Sequence, residues 1–329
     1  MQQATPYEVQ GMRLTIASEL VFLVVGSAAA QNATPPGGGQ PPAAGAGNMI
    51  RLRMQAVAAQ PDTPGIGPYP ALKEMAPNGL DFTIYRPRDL NALGGRKLGV
   101  HVWGNGGCSF DGGFARFHLM DIASYGYVSL AHGRLQDGPG GLPAPGAPRA
   151  TAEGMLAALN WILAENSRQG SPFYQRIDAS KIAVSGNSCG GLLALRVGQD
   201  PRVKTVILQN SGIIPAGANN AGLGGLTKAD LAKLHTPVLY VLGGPDDIAQ
   251  PNGMDDFQRI NHVPVFVADK KNAGHFGVFI EPNGRGTEIE IDWLKWQLEN
   301  DQVAKRTFVG NDCRLCNESG WTVHRKSIN

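Results

Sequence analysis

From about residue 80 onward, short β-rich runs alternate with stretches in which apolar positions recur every three or four residues. That alternation is the pattern of a parallel sheet covered by helices on both faces. Phe82-Thr-Ile-Tyr-Arg86 reads as an early antiparallel strand stopped by Pro87. Further strands are expected at Leu98–Trp103, Tyr127–Ala131, Lys181–Ser185, Thr205–Gln209, Pro237–Leu242 and Pro264–Ala268. Helical patterns fall between them, near residues 113–124, 151–167, 189–199, 227–234 and 253–261. A last amphipathic helix runs over Thr287–Asn300, with Ile289, Ile291, Trp293, Leu294 and Trp296 apolar. There is no internal repeat. The expected architecture is one α/β domain over residues 50–329, a doubly wound, mostly parallel sheet flanked by helices.

The N-terminal pattern is different. From Met12 a positive residue, the apolar run Leu20–Gly26 and the small-residue exit Ser27-Ala-Ala-Ala30-Gln31 form the three parts of a secretory signal peptide over residues 1–30. Cleavage is expected after Ala30, with Met12 as the start of translation, and the product is expected to be secreted or periplasmic. The apolar run is too short for a membrane span, which needs roughly 20 residues. Residues 31–49, rich in Pro, Gly and Ala, have almost nothing to bury and are expected to form a disordered linker.

Composition narrows the function classes. At 42% apolar and 17% charged, the chain is an ordinary globular protein, and 329 residues suffice for one substantial core. A net charge of +2 suggests neither a nucleic-acid surface nor a funnel for acidic substrates.

In sheets of this kind the ligand site lies beyond the carboxyl ends of the strands. The third parallel strand ends in Gly186-Asn187-Ser188-Cys189-Gly190, followed by a helix. Gly-x-Ser-x-Gly between strand and helix is a turn so tight that side chains at the flanking positions would collide, and it leaves the serine Oγ projecting. A serine needs a base, and the base needs an orienting acid. Downstream, Leu242-Gly-Gly-Pro-Asp246-Asp247-Ile-Ala ends one strand, and Asn272-Ala-Gly-His275 follows the next. The order Ser, Asp, His gives Ser188 as nucleophile and His275 as general base, with Asp246 as orienting acid and Asp247 as its fallback. His101, His118, His235, His262 and His324 read as structural, and His132, at the end of the second parallel strand, as a lining residue.

The first parallel strand ends in Gly104-Asn105-Gly106-Gly107-Cys108-Ser109. Acyl transfer builds negative charge on a carbonyl oxygen, and backbone N–H groups in such a turn stabilise it. One oxyanion donor is assigned to Gly106 or Gly107 and the other to Cys189. A dinucleotide loop would need glycine where Ser109 stands and an acid after the next strand, which reads Ala131-His132-Gly133.

Gly186–Gly190, the Gly104–Gly107 turn, Asp246 and Gly274-His275 together resemble the α/β-hydrolase superfamily, over roughly residues 80–300. The likeness is to its secreted, dienelactone-hydrolase-like and cutinase-like serine esterases. The resemblance implies cleavage of carboxylic esters through an acyl-enzyme, with no cofactor and no metal. Asn187 and Cys189 depart from the aromatic and methionine flanks common in polyester-degrading members. The strand end Gln209-Asn-Ser-Gly lacks their aromatic clamp.

Four cysteines allow three pairings, and a secreted protein makes disulfides the default. Cys108 and Cys189 flank the proposed oxyanion site and are expected to bond, while Cys313-x-x-Cys316 would close a small loop. Loops Gly133–Arg149 and Ile213–Gly225 should border an open cleft. The expected partner is a small-molecule or polymeric ester, with no nucleic acid and no membrane span. An acyltransferase, an amidase, a polyester depolymerase and a non-catalytic binding module of the same fold are the alternatives, and oligomeric state is left open.

Overall fold

The computed structural model describes residue 52 and residues 55–135, 146–215, 225–280 and 282–328. The expected signal peptide and linker, and parts of both cleft loops, lie outside the described residues.

Among the described residues nine strands form one sheet: β1 Ala71–Met75, β2 Phe82–Pro87, β3 Leu98–Gly104, β4 Tyr127–His132, β5 Ile177–Asn187, β6 Thr205–Gln209, β7 Val238–Leu242, β8 Val265–Lys270 and β9 Trp321–Lys326. Their order across the sheet is β1-β2-β4-β3-β5-β6-β7-β8-β9. The six strands from β4 to β8 run parallel, while β1, β2 and β9 pair antiparallel at the two edges. Helices among the described residues that accompany them are α1 Arg116–Ser124, α2 Ala152–Glu165, α3 Cys189–Val197, α4 Gln250–Arg259, α5 Arg285–Glu299 and the short α6 Gln302–Lys305. This is the doubly wound α/β arrangement that the pattern implies. The helical pattern near 227–234 closes instead as a 3-10 turn, Lys228–Lys233.

The central strands are buried on both faces, so they read as nearly unbroken apolar runs. Successive side chains point to opposite faces. Val100, Val102, Val206, Leu208, Val238 and Tyr240 join the core under α2, α3 and α4. Trp103, Ile207, Leu239 and Val241 join a second core under α1 and α5. Helix α2 buries Met155, Ala158, Leu159 and Ile162, one stripe at helical spacing, and Thr151 caps it by accepting Gly154 N–H.

The second core contains a buried ion. Glu290 of α5 is fully buried and takes His101 Nε2 at 3.1 Å and Gln209 Nε2 at 2.8 Å, with His118 Nε2 at 3.2 Å. A lone buried carboxylate would cost several kcal/mol, so its partners decide its state. Burial pushes the Glu290 carboxyl up, but the charges and hydrogen bonds of His118 and His101 outweigh that and hold it well below the ordinary value. Burial likewise lowers His101, whose ring also meets Ser129 and Ser185. His101 and His118 thus serve the core, His262 meets the Leu234 carbonyl, and His324 packs against Phe257.

Candidate active site

The strand–helix turn at Ser188 is the tightest part of the fold. Strand β5 ends at Asn187 and α3 begins at Cys189, leaving Ser188 alone between them with φ 52° and ψ −119°. An L-residue adopts that conformation only when its surroundings impose it. Here the surroundings are backbone: a Cβ on Gly190 would fall on the Gly104 carbonyl, and one on Gly186 would fall on the Gly190 carbonyl. The glycines of the motif are therefore set by the approach of β3 to the turn.

Three side chains meet beyond the strand ends. Ser188 Oγ lies 2.9 Å from His275 Nε2, and His275 Nδ1 lies 2.6 Å from Asp247 Oδ1. Asp247 is 1% exposed and takes N–H groups from Gly243 at 3.1 Å and Ala249 at 2.9 Å, together with Asn210 Nδ2 at 2.7 Å. Burial pushes the Asp247 carboxyl up, but the hydrogen bond and charge of His275, with the Ala249 and Asn210 donors, leave it below its ordinary value. An ionised carboxylate only accepts, so His275 Nδ1 is the donor to Asp247 and Nε2 is the ring atom that faces the serine hydroxyl.

The carboxylate at His275 is that of Asp247, which corrects the expectation of Asp246. The turn Gly244-Pro245-Asp246-Asp247 closes through Asp247 N–H to Gly244 O at 2.9 Å, turning Asp247 inward and leaving Asp246 exposed to solvent. Two consecutive acids at a strand end satisfy the same spacing, and only the closing of the turn separates them.

On the opposite side of Ser188, Gly106–Cys108 form one 3-10 turn, with Gly107 at φ 63°. Asn105 anchors it: its Oδ1 accepts Trp103 Nε1–H, and its Nδ2 donates to the carbonyls of Ser109 and His132. Cys108 and Cys189 form a disulfide with a Cα–Cα distance of 5.2 Å, and Cys313 and Cys316 form a second. Cys189 is the first residue of α3, so its N–H has no intrahelical acceptor and lies at the positive end of the helix dipole. Cys189 thus adjoins Ser188, and its disulfide holds the Gly106–Cys108 turn near it.

The first disulfide ties this turn to the Ser188 turn across 81 residues of sequence. The double variant Cys108→Ala/Cys189→Ala should lose about 4 kcal/mol of stability, the loop-entropy value for a closure of that length. Thermal unfolding should then shift down by about 10 °C. Below the new transition, kcat should still fall, because the turn is no longer held against Cys189.

A cleft opens at Ser188 and His275, walled by Leu192, Gly212, Ile214, Ile248, Ala249 and Asn252. Ile248 is 66% exposed although large and apolar, which leaves a hydrophobic surface at the mouth beside Asp247. His132, expected to line the site, is half-buried, accepts Thr151 N–H at 3.0 Å and packs edge-on against Phe110. Arg149 reaches back to donate to Gly107 O at 2.8 Å. Among the described residues no cluster of three His, Cys, Asp or Glu is arranged to hold a metal ion. No helix among them is long and apolar enough to cross a membrane.

Asn210 is the site residue with no signal in the sequence; asparagine after a strand is common in turns, and nothing in its spacing marks it. Residues 122–320, more than half of the chain, match the family model described as PET hydrolase-like. The matched span contains Ser188, Asp247 and His275, and begins after the Gly104–Gly107 turn. No curated protein matches the sequence.

Proposed function

The chain belongs to the PET hydrolase-like family, ester hydrolases of the α/β-hydrolase type, and on that premise we propose that it is a secreted serine esterase acting through Ser188, His275 and Asp247. The observation that carries the reading is the unbroken hydrogen-bonded chain from Ser188 Oγ through His275 to Asp247, at 2.9 and 2.6 Å. A binding module has no need of a strained serine aligned with a base and a buried acid.

As Ser188 Oγ attacks the ester carbonyl carbon, its proton passes to His275 Nε2, and Asp247 stabilises the imidazolium. The carbonyl oxygen becomes an oxyanion, which the N–H groups of Cys189 and of Gly106 or Gly107 receive. The intermediate collapses, the C–O bond to the alcohol breaks, and His275 returns the proton to the leaving oxygen. Water then attacks the acyl-enzyme, giving its proton to His275, and the acid leaves with Ser188 restored. The signal-like segment at residues 1–30 and the two disulfides support export to an oxidising compartment.

The open, aliphatic cleft mouth suits substrates that extend past the scissile bond, small or polymeric. Hydrolysis of p-nitrophenyl esters of increasing chain length should therefore continue from acetate to long acyl groups and be abolished by a fluorophosphonate. Release of soluble acid from a poly(ethylene terephthalate) film tests the polymeric arm. Labelling without hydrolysis of any ester would assign the triad to another acyl transfer, and neither labelling nor hydrolysis would leave a binding module.

A further inference from the structure

Three consecutive residues at the end of β6 reach Ser188, Asp247 and the residue before His275. The Gln209 carbonyl accepts Ser188 N–H at 3.0 Å and Asn187 Nδ2 at 3.0 Å. Ser211 Oγ donates to the Ser188 carbonyl at 2.7 Å. Between them, Asn210 Nδ2 donates to Asp247 Oδ2 at 2.7 Å and to the Gly274 carbonyl at 3.2 Å, one residue before His275. Asn210 is fully buried, its N–H is held by Val241 O at 2.8 Å, and its backbone is left-handed at φ 48°. Asparagine is among the few non-glycine residues that tolerate that conformation, and it brings an amide that reaches its neighbours.

The other donors to Asp247 do a different job. Gly243 and Ala249 flank the Gly244–Asp247 turn and are local to it in sequence. The His275 loop is likewise tied to that turn, by Gly274 N–H to Gly243 O at 2.8 Å. Backbone pairing of β6 with β7 joins this acid–histidine unit to the strand end that holds Ser188. The Asn210 side chain adds a second tie across the same gap, and Glu290 of α5 fixes the same strand end by accepting Gln209 Nε2–H at 2.8 Å.

We infer that Asn210 is a positioning residue that holds Asp247 and the His275 loop in register with Ser188. The assignment rests on reading Ser188, His275 and Asp247 as the catalytic triad. In the folded protein the amide is a fixed, desolvated donor, which is where a hydrogen bond has most leverage on geometry.

Two variants test it, both compatible with the left-handed backbone. Asn210→Gly keeps the conformation and deletes the amide. Its kcat should fall about 10- to 100-fold, the scale of a sub-ångström misplacement of reacting groups. KM should stay within about two-fold, because no substrate contact is removed. The rate of fluorophosphonate labelling at Ser188 should fall with kcat. Asn210→Asp keeps size and shape but sets a carboxyl oxygen where Asp247 Oδ2 needs a donor, so its kcat should lie below that of Asn210→Gly. An Asn210→Gly enzyme with parental kcat, or one altered only in KM, overturns the assignment. If the glycine variant does not fold, a parental kcat in Asn210→Asp overturns it equally. A parent protein that is not labelled at Ser188 overturns the triad reading itself, whereas normal labelling of both parent and Asn210→Gly overturns only the role of Asn210.

Discussion

Asp247→Asn should lower kcat by about ten-thousand-fold, the cost of presenting the wrong histidine tautomer to a serine, while Asp246→Asn should leave kcat within about two-fold, as for most exposed positions. The asymmetry follows from what surrounds each carboxyl. Asp246 faces solvent. Asp247 is enclosed by donors: Asn210 Nδ2 and Gly243 N–H on Oδ2, His275 Nδ1 and Ala249 N–H on Oδ1. An amide in that place puts its NH2 against a donor whichever way it turns. Directed at His275, it forces Nδ1 to accept and Nε2 to carry the proton, so the ring can no longer take the proton of Ser188. Directed at Asn210 and Gly243, it faces two donors at once. Parallel thermal unfolding separates the catalytic loss from the stability lost with these hydrogen bonds. Equal losses in the two variants would mean that the turn opens in solution and either acid can serve.

Ser188→Ala should lose about a million-fold in kcat, as when a triad nucleophile is deleted from a working hydrolase, and should keep its fold. Only Oγ is removed; the strained backbone at φ 52° stays, because the approach of Gly104 and Gly190 imposes it. Affinity for a non-hydrolysable ester analogue should persist, since the walls formed by Leu192, Ile214 and Ile248 are untouched. Residual hydrolysis above the water rate is expected from the oxyanion donors alone. Hydrolysis within ten-fold of the parent would mean that another residue is the nucleophile.

Much of this was legible in the chain. The parallel strands are buried on both faces, and their apolar runs mark them plainly; Thr205–Gln209 coincides with β6 from end to end. Strand β5 extends back from Lys181 to Ile177, through polar Asp178 and Ser180 that face partly to solvent and break the apolar run. The edge strands β1 and β9 carry no strand pattern, because consecutive charges, Lys73-Glu74 and Arg325-Lys326, break the apolar–polar alternation, as exposed edges do. Motif, strand end and chain order converge on Ser188 and on His275. They do not fix the acid, since Asp246 and Asp247 occupy the same strand end and only the turn decides which points inward. Asn210 is legible only in three dimensions, as its role depends on the neighbouring strand end and not on its own sequence context.

The most direct test of the account is to trap the acyl-enzyme. The protein is mixed rapidly with a p-nitrophenyl ester, quenched in acid before turnover is complete, digested and mapped by mass spectrometry. A mass increment equal to the acyl group is expected on the peptide bearing Ser188, absent from Ser188→Ala and accumulating far more slowly in Asp247→Asn. Ester hydrolysis with no acylated peptide, or with the acyl group on a residue other than Ser188, would contradict it.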